Sequence, residues 1–505
     1  MKIRWITAIL YGYLVMSLIA CQSTPKEAVV VDKSEGFPQE SIIEVDNENP
    51  KELGIPEYWE ETLERSDGFV TIEADYEMDL PEIYNTPVYQ YEPKSLSQDR
   101  LEELCYYFAE NNRLYEVPAM TKDELIAEKE KLENRVGRWG RYITDFSSMA
   151  VVNEKMDRFT EAIDAAPENK QKKIYIEPEF MLPYETEEEF VRDWGMRNIY
   201  TYYYETDKKI GFAARVEKGQ VVDPIIRAIN YDSQVGSSTH FLYNQGLWMD
   251  EKELNESIRN WSERSNRLKN YLEPLEEAMW TEESSEFERE DAIQIAEKLL
   301  EDLDIQDMEI FECVKAVGIR ESESWAGFDE LEKGLDKGYA ITIYPKCGTF
   351  SGIAIRRQVY DDLPETIYAP PFYTQKIYMV VTEEGIQRFE WTDISERTGT
   401  IAENTKILTF EDMKEKLADH MLYEAMSFLG DRGKEEGYKM QYKVSDIQLR
   451  STYVNAYENP EAAWLLPVWV IELKQDEVTP EGRVLDLSTT TVILSTIDGG
   501  YVSAP

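Results

Sequence analysis

One continuous apolar segment, residues 5–20, constrains this chain more than any other feature. It holds sixteen residues, whereas a helix that crosses a bilayer needs about 20. Lys2 and Arg4 precede it and small residues follow it, which is the pattern of a secretory signal peptide over 1–20. No later segment is long and apolar enough to span a bilayer, so we expect the rest of the chain to fold outside the membrane.

The signal segment ends in Leu18, Ile19, Ala20 and Cys21. This sequence after a short apolar run resembles the lipobox of bacterial lipoproteins. The resemblance implies cleavage before Cys21 and a diacylglyceryl group on its sulfur, and two acyl chains make a stable anchor. An ordinary signal peptide with an incidental cysteine is the alternative. We predict Cys21 as the lipid attachment site, with the protein held on the outer face of the cell membrane.

The net charge argues against one class of partner. The chain has 54 basic and 100 acidic side chains, which gives −46 at pH 7. So acidic a surface repels phosphate backbones, and we expect no nucleic-acid binding. It also repels anionic lipid headgroups, so membrane attachment has to come from the lipid.

The order of patterns predicts an α+β fold. Residues 21–57 are acidic and lack periodicity, which indicates a flexible tether. Helical stripes and strand-like runs then follow one another through short turns, which favours antiparallel sheets with helices packed on one face. The polar stretch at 281–286 marks a boundary. We therefore predict at least two domains, at 58–280 and 286–505, the second with two related helix-plus-sheet units as a further hypothesis.

Local signals predict where several helices begin and end. Thr121 and Glu124 have the spacing of a capping box, and Thr409 and Asp412 are placed to cap a helix that runs to about Leu429. Gly430 is placed to end that helix.

Two resemblances concern the whole chain and its second half. Ala-Trp-Leu-Leu-Pro-Val-Trp-Val at 463–470 and Ile-Asp-Gly-Gly at 497–500 are similar to the closing strands of small PepSY-type and cell-wall-regulator lipoprotein modules. The helix at 291–297 is similar to their opening helix. Separately, residues 21–25 with the valines at 29–31 resemble an uncharacterised family of Gram-positive lipoproteins, a domain of unknown function. These resemblances imply extracytoplasmic binding or regulation without reaction chemistry.

The chain has two histidines, His240 and His420, which excludes a three-histidine zinc site and the HExxH motif. His240 lies in a strand pattern, which is typical of a hydrogen-bonded strand residue. His420 lies on a predicted helix beside Lys416 and Glu424, which indicates a solvated face. Spacing identifies no Ser or Cys partner for either histidine, so we expect no catalytic residue.

Carboxylates are weaker candidates. Glu177 and Glu179 follow a predicted strand, and two carboxylates can hydrolyse a glycoside, but 100 acids produce such pairs by chance. Asp302, Asp304 and Asp307 lie in a helix-to-strand loop and could bind Ca²⁺, yet the loop lacks the glycine and closing glutamate of an EF-hand. We expect a solvated loop, no metal site and no cofactor.

Aromatic side chains could stack on sugars or fill cores and sheet faces. The candidates are Tyr200, Tyr202, Tyr203, Tyr204, Trp391, Trp464 and Trp469. We expect Trp469 to pack in a core or across strands.

With Cys21 used by lipid, Cys105, Cys313 and Cys347 remain, so at least one thiol is free. Cys105 lies in a helical apolar stripe and is expected in a core. Whether Cys313 and Cys347 form a disulfide stays open at this point.

We predict a lipid-anchored extracytoplasmic surface protein that is not an enzyme and that binds or regulates a protein partner in the cell envelope. The alternative is a lipoprotein that binds a glycan or peptide ligand. A two-carboxylate hydrolase is the third hypothesis.

Overall fold

The computed structural model describes residues 33, 36–46, 51–80, 82–127, 129–130, 159–160, 162–164, 166–180, 209–220, 222–231, 238–261, 275–280, 287–320, 335–353 and 367–502. The predicted signal peptide, the lipid site Cys21, the tyrosines between 200 and 204 and the polar boundary at 281–286 lie outside these residues.

Within these ranges the chain forms long helices and a series of strands. The helices are α1 (Gln98–Ala109), α2 (Glu251–Trp261), α3 (Arg289–Asp302) and α4 (Phe410–Glu435). The strands are β1 (Tyr58–Arg65), β2 (Val70–Glu77), β3 (Val88–Pro93), β4 (Leu114–Glu116), β5 (Lys209–Val216), β6 (Ile225–Tyr231), β7 (Ser238–Asn244), β8 (Leu247–Asp250), β9 (Met308–Ile319), β10 (Asp336–Cys347), β11 (Phe350–Ser351), β12 (Lys376–Thr382), β13 (Gly385–Thr392), β14 (Ser395–Ala402), β15 (Lys439–Ala456), β16 (Asn459–Val478), β17 (Val484–Ser495) and β18 (Tyr501–Val502).

The strands form two sheets. Sheet A has the order β1-β2-β15-β16-β17-β18, and β3 pairs with both β16 and β14. Sheet B has the order β4-β5-β6-β7-β13-β12-β10-β9-β8, with β11 on β10. The strand pairs are antiparallel except β2–β15, which is parallel. The predicted α+β class with antiparallel sheets is confirmed.

Strand β16 is a buried central strand of sheet A. Residues 462–471 are all buried, because the strand is flanked by neighbours on both sides and its apolar run packs on both faces. Trp469 is fully buried and its ring lies 6.0 Å from that of Phe410 at the start of α4. The predicted core position of Trp469 is confirmed.

The helices bury apolar stripes against these sheets. Leu104 and Phe108 of α1 and Ala296 and Leu299 of α3 belong to the core of sheet B. Leu417 and neighbouring residues of α4 belong to the core of sheet A. The spacing of three or four residues places each stripe on one helical face.

Both sheets take strands from both predicted domains. β1, β2 and β3 join sheet A, whose other strands follow residue 395, and β7 pairs with β13 in sheet B. The two sheets therefore do not follow the predicted division between 58–280 and 286–505. Strand pairing depends on complementary edges and a shared core. A polar stretch in the sequence therefore does not predict which strands pair.

The tether predicted at 21–57 extends too far into the body. Phe37 is fully buried, with its ring 4.9 Å from that of Tyr368. Gly36 has φ 96°, and a Cβ there would come within 2.3 Å of the Ala456 carbonyl oxygen. This close approach seats Phe37 in the core of sheet A, although the acidic residues around it hide any apolar pattern.

The predicted helix ends are confirmed. The Glu124 carboxylate accepts from the Thr121 backbone N–H, and Thr121 Oγ1 accepts from the Glu124 N–H. Asp412 and Thr409 make the same reciprocal pair at α4. Gly430, with φ 66° and ψ 174°, interrupts the helical geometry of α4. In the part of the chain that the structure describes, no helix combines the length and apolarity needed to cross a bilayer.

Candidate functional site at the junction of the two sheets

A cleft of about 810 Å³ lies between elements of the two sheets. Its walls are the end of β3, the start of α1, the loop after α3 and the turn from β13 into β14. β3 and β14 belong to sheet A, whereas α1 and α3 pack on sheet B. A concave surface where two packed units meet is a common place for a ligand.

Paired charges form the rim of this junction cleft. Lys94 Nζ lies 2.5 Å from a carboxylate oxygen of Glu396. The Arg397 guanidinium lies 3.9 Å from Asp307 and 3.5 Å from the centre of the Tyr89 ring. The lining as a whole carries five acidic and three basic side chains. This balance favours a polar ligand with positive charge over a free anion.

The floor of the junction cleft is polar and buried. Gln375 Oε1 accepts from the Ser395 backbone N–H at 2.5 Å, and Ser395 Oγ lies 2.9 Å from the Tyr453 hydroxyl. The Tyr91 hydroxyl and Trp391 Nε1 also belong to lining residues, and neither has a hydrogen-bond partner among the described residues. Both atoms have almost no solvent-accessible surface, so they are unpaired buried groups behind the cleft wall and are not presented to a ligand.

A second pocket, of about 350 Å³, lies between α4 and strands β16 and β17; we call it the α4–β17 pocket. His420 and Glu424 are four residues apart on one helical face and both line it. The His420 ring stacks on Tyr501, with the ring centres 4.0 Å apart. Burial, reinforced by the charge of Lys33, lowers the pKa of His420 to about 4.

The solvated face predicted for His420 is therefore wrong, since only 12% of its side chain is exposed. The reason lies in the hairpin formed by β17 and β18, which brings Tyr501 over the helix. Glu424 stays 46% exposed. Burial of the rest of the side chain raises the pKa of Glu424.

His240 lies on β7, and its predicted strand position is confirmed. Its Nε2 is 3.4 Å from Glu390 Oε1 on β13, and the Arg388 guanidinium contacts the same carboxylate at 2.5 Å. Burial opposes ionisation of Glu390, but His240 and Arg388 outweigh it and lower the pKa of Glu390 to about 2. These three side chains form an ion-paired cluster on the surface of sheet B.

The predicted carboxylate candidates do not converge on one point. Asp302 pairs with a lysine of its own helix, while Asp304 and Asp307 line the junction cleft. Glu177 accepts from a tyrosine hydroxyl at 2.8 Å, and Glu179 is exposed. Over the described ranges, no group of three or more His, Cys, Asp or Glu side chains is placed to hold a metal ion.

The tryptophans that are candidates for sugar stacking are buried. Trp391, Trp464 and Trp469 all belong to the interior, so their ring faces are not open to a ligand. The tyrosines weighed with them lie outside the described residues.

Cys105, Cys313 and Cys347 are free and buried. Cys105 lies in the apolar face of α1 as predicted. Cys313 and Cys347 form no disulfide, and the Cys347 thiol instead donates to the Pro87 carbonyl at 3.2 Å. Burial raises the pKa of all three thiols, which suits core residues.

Sequence reasoning did not find the junction cleft. Tyr91, Gln375 and Arg397 come from separate parts of the chain, and only the pairing of β3 with β14 brings them together. A glutamine directly before the apolar strand β12 was the one local signal that a buried polar group is present. No protein-family model matches the chain, and none of the curated proteins matches it either.

Proposed function

We propose that the chain is a lipid-anchored extracytoplasmic protein that binds a protein partner of the cell envelope and catalyses no reaction. The anchor rests on the sequence, in which an apolar run of sixteen residues leads to Leu18, Ile19, Ala20 and Cys21. A protein held on the outer face of the cell membrane in this way meets other envelope components by lateral diffusion.

The observation that carries the binding role is the junction cleft. Its rim pairs, Lys94 with Glu396 and Arg397 with Asp307, are solvent-accessible. Such exposed pairs contribute about 0–1 kcal/mol each, so they exchange partners with a charged polypeptide at small cost.

The alternative is a lipoprotein that binds a glycan or a peptide. Within this alternative a peptide is favoured, because Trp391, Trp464 and Trp469 are buried and the cleft presents charged and amide groups instead of open ring faces. A ligand that binds the folded state raises the melting temperature. We expect a rise with peptides and none with glycans, and a rise with glycans alone would reverse this preference.

The finer architecture is also a proposal. We place helices on one face of each sheet and at least two folding units in the body, preceded by a signal peptide at 1–20. Limited proteolysis tests the units, since a stable fragment that begins near residue 286 would support them. Loss of the whole body in a single step, without such a fragment, would contradict them.

A photo-crosslinking amino acid in the full lipidated chain tests the binding role in cells. It replaces Glu396, which is half exposed on the cleft rim, and in a matched control it replaces Glu73, which is exposed on β2. We expect one recurrent envelope protein to be crosslinked from position 396 and not from position 73. The same scatter of products from both positions would contradict the proposal.

A Cys21→Ser variant tests the anchor separately. An alkyne-labelled fatty acid should label the wild-type protein but not the variant, and the variant should leave the membrane fraction. Equal labelling of the two proteins would remove the lipid from the proposal.

A further inference from the structure

In the part of the chain that the structure describes, the outer edge of β17 is unpaired for most of its length. β17 pairs with β16 along the whole strand, whereas β18 pairs only with Ile493 and Leu494. Among the described residues, no strand pairs with the other side of 484–492. Unpaired backbone N–H and C=O groups at such an edge are a template for another extended chain.

The opposite edge of sheet A is protected and this one is not. β1 presents the exposed carboxylates of Glu60, Glu61 and Glu64, and Glu61 is tied to Lys414 of α4 at 2.6 Å. Along 484–492 the chain has no proline and no lysine, and Asp486 is its one charged residue. Charges and proline are the usual means by which an edge avoids pairing, so the β17 edge is left open to a partner.

The α4–β17 pocket lies directly beside this edge. Its lining includes Leu487 and Ser488 from the strand and Glu424 and Phe428 from the helix. Phe428 is 61% exposed and Leu487 is 37% exposed. A side chain that projects from an added strand therefore finds both a cavity and an apolar rim next to the backbone template.

Among the described residues, no lysine or arginine pairs with the carboxylate in the pocket. Glu424 is partly buried, and its nearest basic group among the described residues is His420 Nε2 at 3.9 Å. The His420 ring is kept neutral at pH 7 by burial under Tyr501. The chain as a whole carries −46. The electrostatic complement of this pocket is a lysine or arginine side chain.

From this arrangement we propose a second docking site, at which an extended segment of a partner protein adds as a strand to the outer edge of β17 and places a lysine or arginine against Glu424. Strand addition supplies affinity through the backbone, and the pocket supplies specificity through one side chain. The site rests on the proposed binding role but is separate from the junction cleft.

The probe is a nine-residue peptide of alternating threonine and valine with one central lysine, labelled for fluorescence anisotropy. The protein is the full lipidated chain in detergent micelles. Two matched peptides carry glutamate instead of lysine, or methyl groups on alternate backbone nitrogens. We expect saturable binding of the lysine peptide, with the glutamate and N-methylated peptides bound at least about tenfold more weakly.

Variants locate the contact. Glu424→Gln should weaken the lysine peptide about tenfold, and Glu424→Lys should reverse the preference in favour of the glutamate peptide. Leu487→Lys, at an exposed edge position, should block strand addition whatever the peptide charge. Glu73→Gln, on the opposite side of the strand order, should leave every affinity unchanged.

Absence of binding by the wild-type chain, or a Glu424→Lys variant with unchanged preference, would overturn this site. Neither result touches the crosslinking from position 396. Conversely, the peptide could bind at the β17 edge while position 396 gives no crosslinked product. That result would support this site and would remove the junction cleft from the proposed function.

Discussion

Two glutamates, each beside one of the two histidines, show how differently this chain treats a partly buried carboxylate. Glu390 in sheet B lies between His240 and Arg388, and these groups lower its pKa to about 2. Glu424 on α4 has His420 as its one basic neighbour among the described residues, and burial raises its pKa. Glu390 is the more deeply buried of the two, with 24% of its side chain exposed against 46% for Glu424, so the neighbouring Arg388 and His240, and not exposure, account for its lowered pKa.

The comparison distinguishes a carboxylate that is paired inside the protein from one that can pair with a ligand. Glu390 is already compensated inside the protein, so a ligand cation would have to displace Arg388. Glu424 meets an imidazole that stays neutral at pH 7, so a ligand cation displaces nothing. A charged group without a partner in a pocket is a better indicator of a binding role than a charged group inside a cluster.

The largest effect is expected from His420. Its pKa is about 4 in the folded chain and 6.5 ordinarily, so the unfolded state binds a proton first. The free energy of unfolding should therefore fall by about 3 kcal/mol as the pH drops from 6.5 through 4. Urea unfolding at a series of pH values should show this slope in the wild-type chain and not in His420→Phe. An identical slope in both proteins would mean that the pKa of His420 is not lowered by burial.

Removing the compensated carboxylate comes next. Glu390→Gln leaves Arg388 and His240 without their acceptor and should cost about 2 kcal/mol at pH 7. Because the folded pKa is lowered from 4.5, this stabilisation is present above pH 4.5 and lost as the pH falls toward 2. Unfolding in urea at pH 7 and at pH 2.5 measures both values. A loss that persists at pH 2.5 would mean that packing, and not charge, is responsible.

Glu424→Gln is the matched variant and should change the free energy of unfolding at pH 7 by less than about 0.5 kcal/mol. The sign should be stabilising, since a carboxyl group with a raised pKa contributes stability at low pH and loses it as the pH rises through the folded value. A destabilisation as large as that of Glu390→Gln would show that Glu424 has a partner and would end the contrast.

The smallest effect concerns Lys33. Its charge adds to burial in lowering the pKa of His420, so Lys33→Met should raise that pKa by less than about one unit. NMR titration of the imidazole signals measures it directly, because the chain has two histidines. Lys252→Met, on the exposed side of α2, is the control. A fall in the pKa of His420 would contradict the role assigned to the charge of Lys33.

Local features of the fold could be predicted from the sequence, and distant ones could not. The stripe of α1, the caps at Thr121 and Thr409 and the buried strand β16 depend on residues within a few positions of one another. The lowered pKa of His420 depends on burial under Tyr501 and on the charge of Lys33, and these two residues come from the two ends of the described chain.

The same reason explains why the candidate sites were missed. The junction cleft depends on β3 reaching across to β14, and no periodicity records that pairing. Phe37 is the one apolar residue between 32 and 41. The composition of this stretch indicates a tether, but the close approach of Gly36 to the Ala456 backbone holds Phe37 in the core.

The position of Lys33 limits the distance between the body and the lipid anchor that we propose at Cys21. Its Nζ lies 4.3 Å from the centre of the Tyr368 ring, and its charge reaches His420 at the α4–β17 pocket. With the proposed lipid on Cys21, twelve residue steps join the anchor to this point, and a fully extended chain of that length spans about 40 Å. Under the proposed anchoring, this point of the body lies no more than about 40 Å from the lipid, so we expect the partner proposed for the β17 edge among components close to the membrane surface.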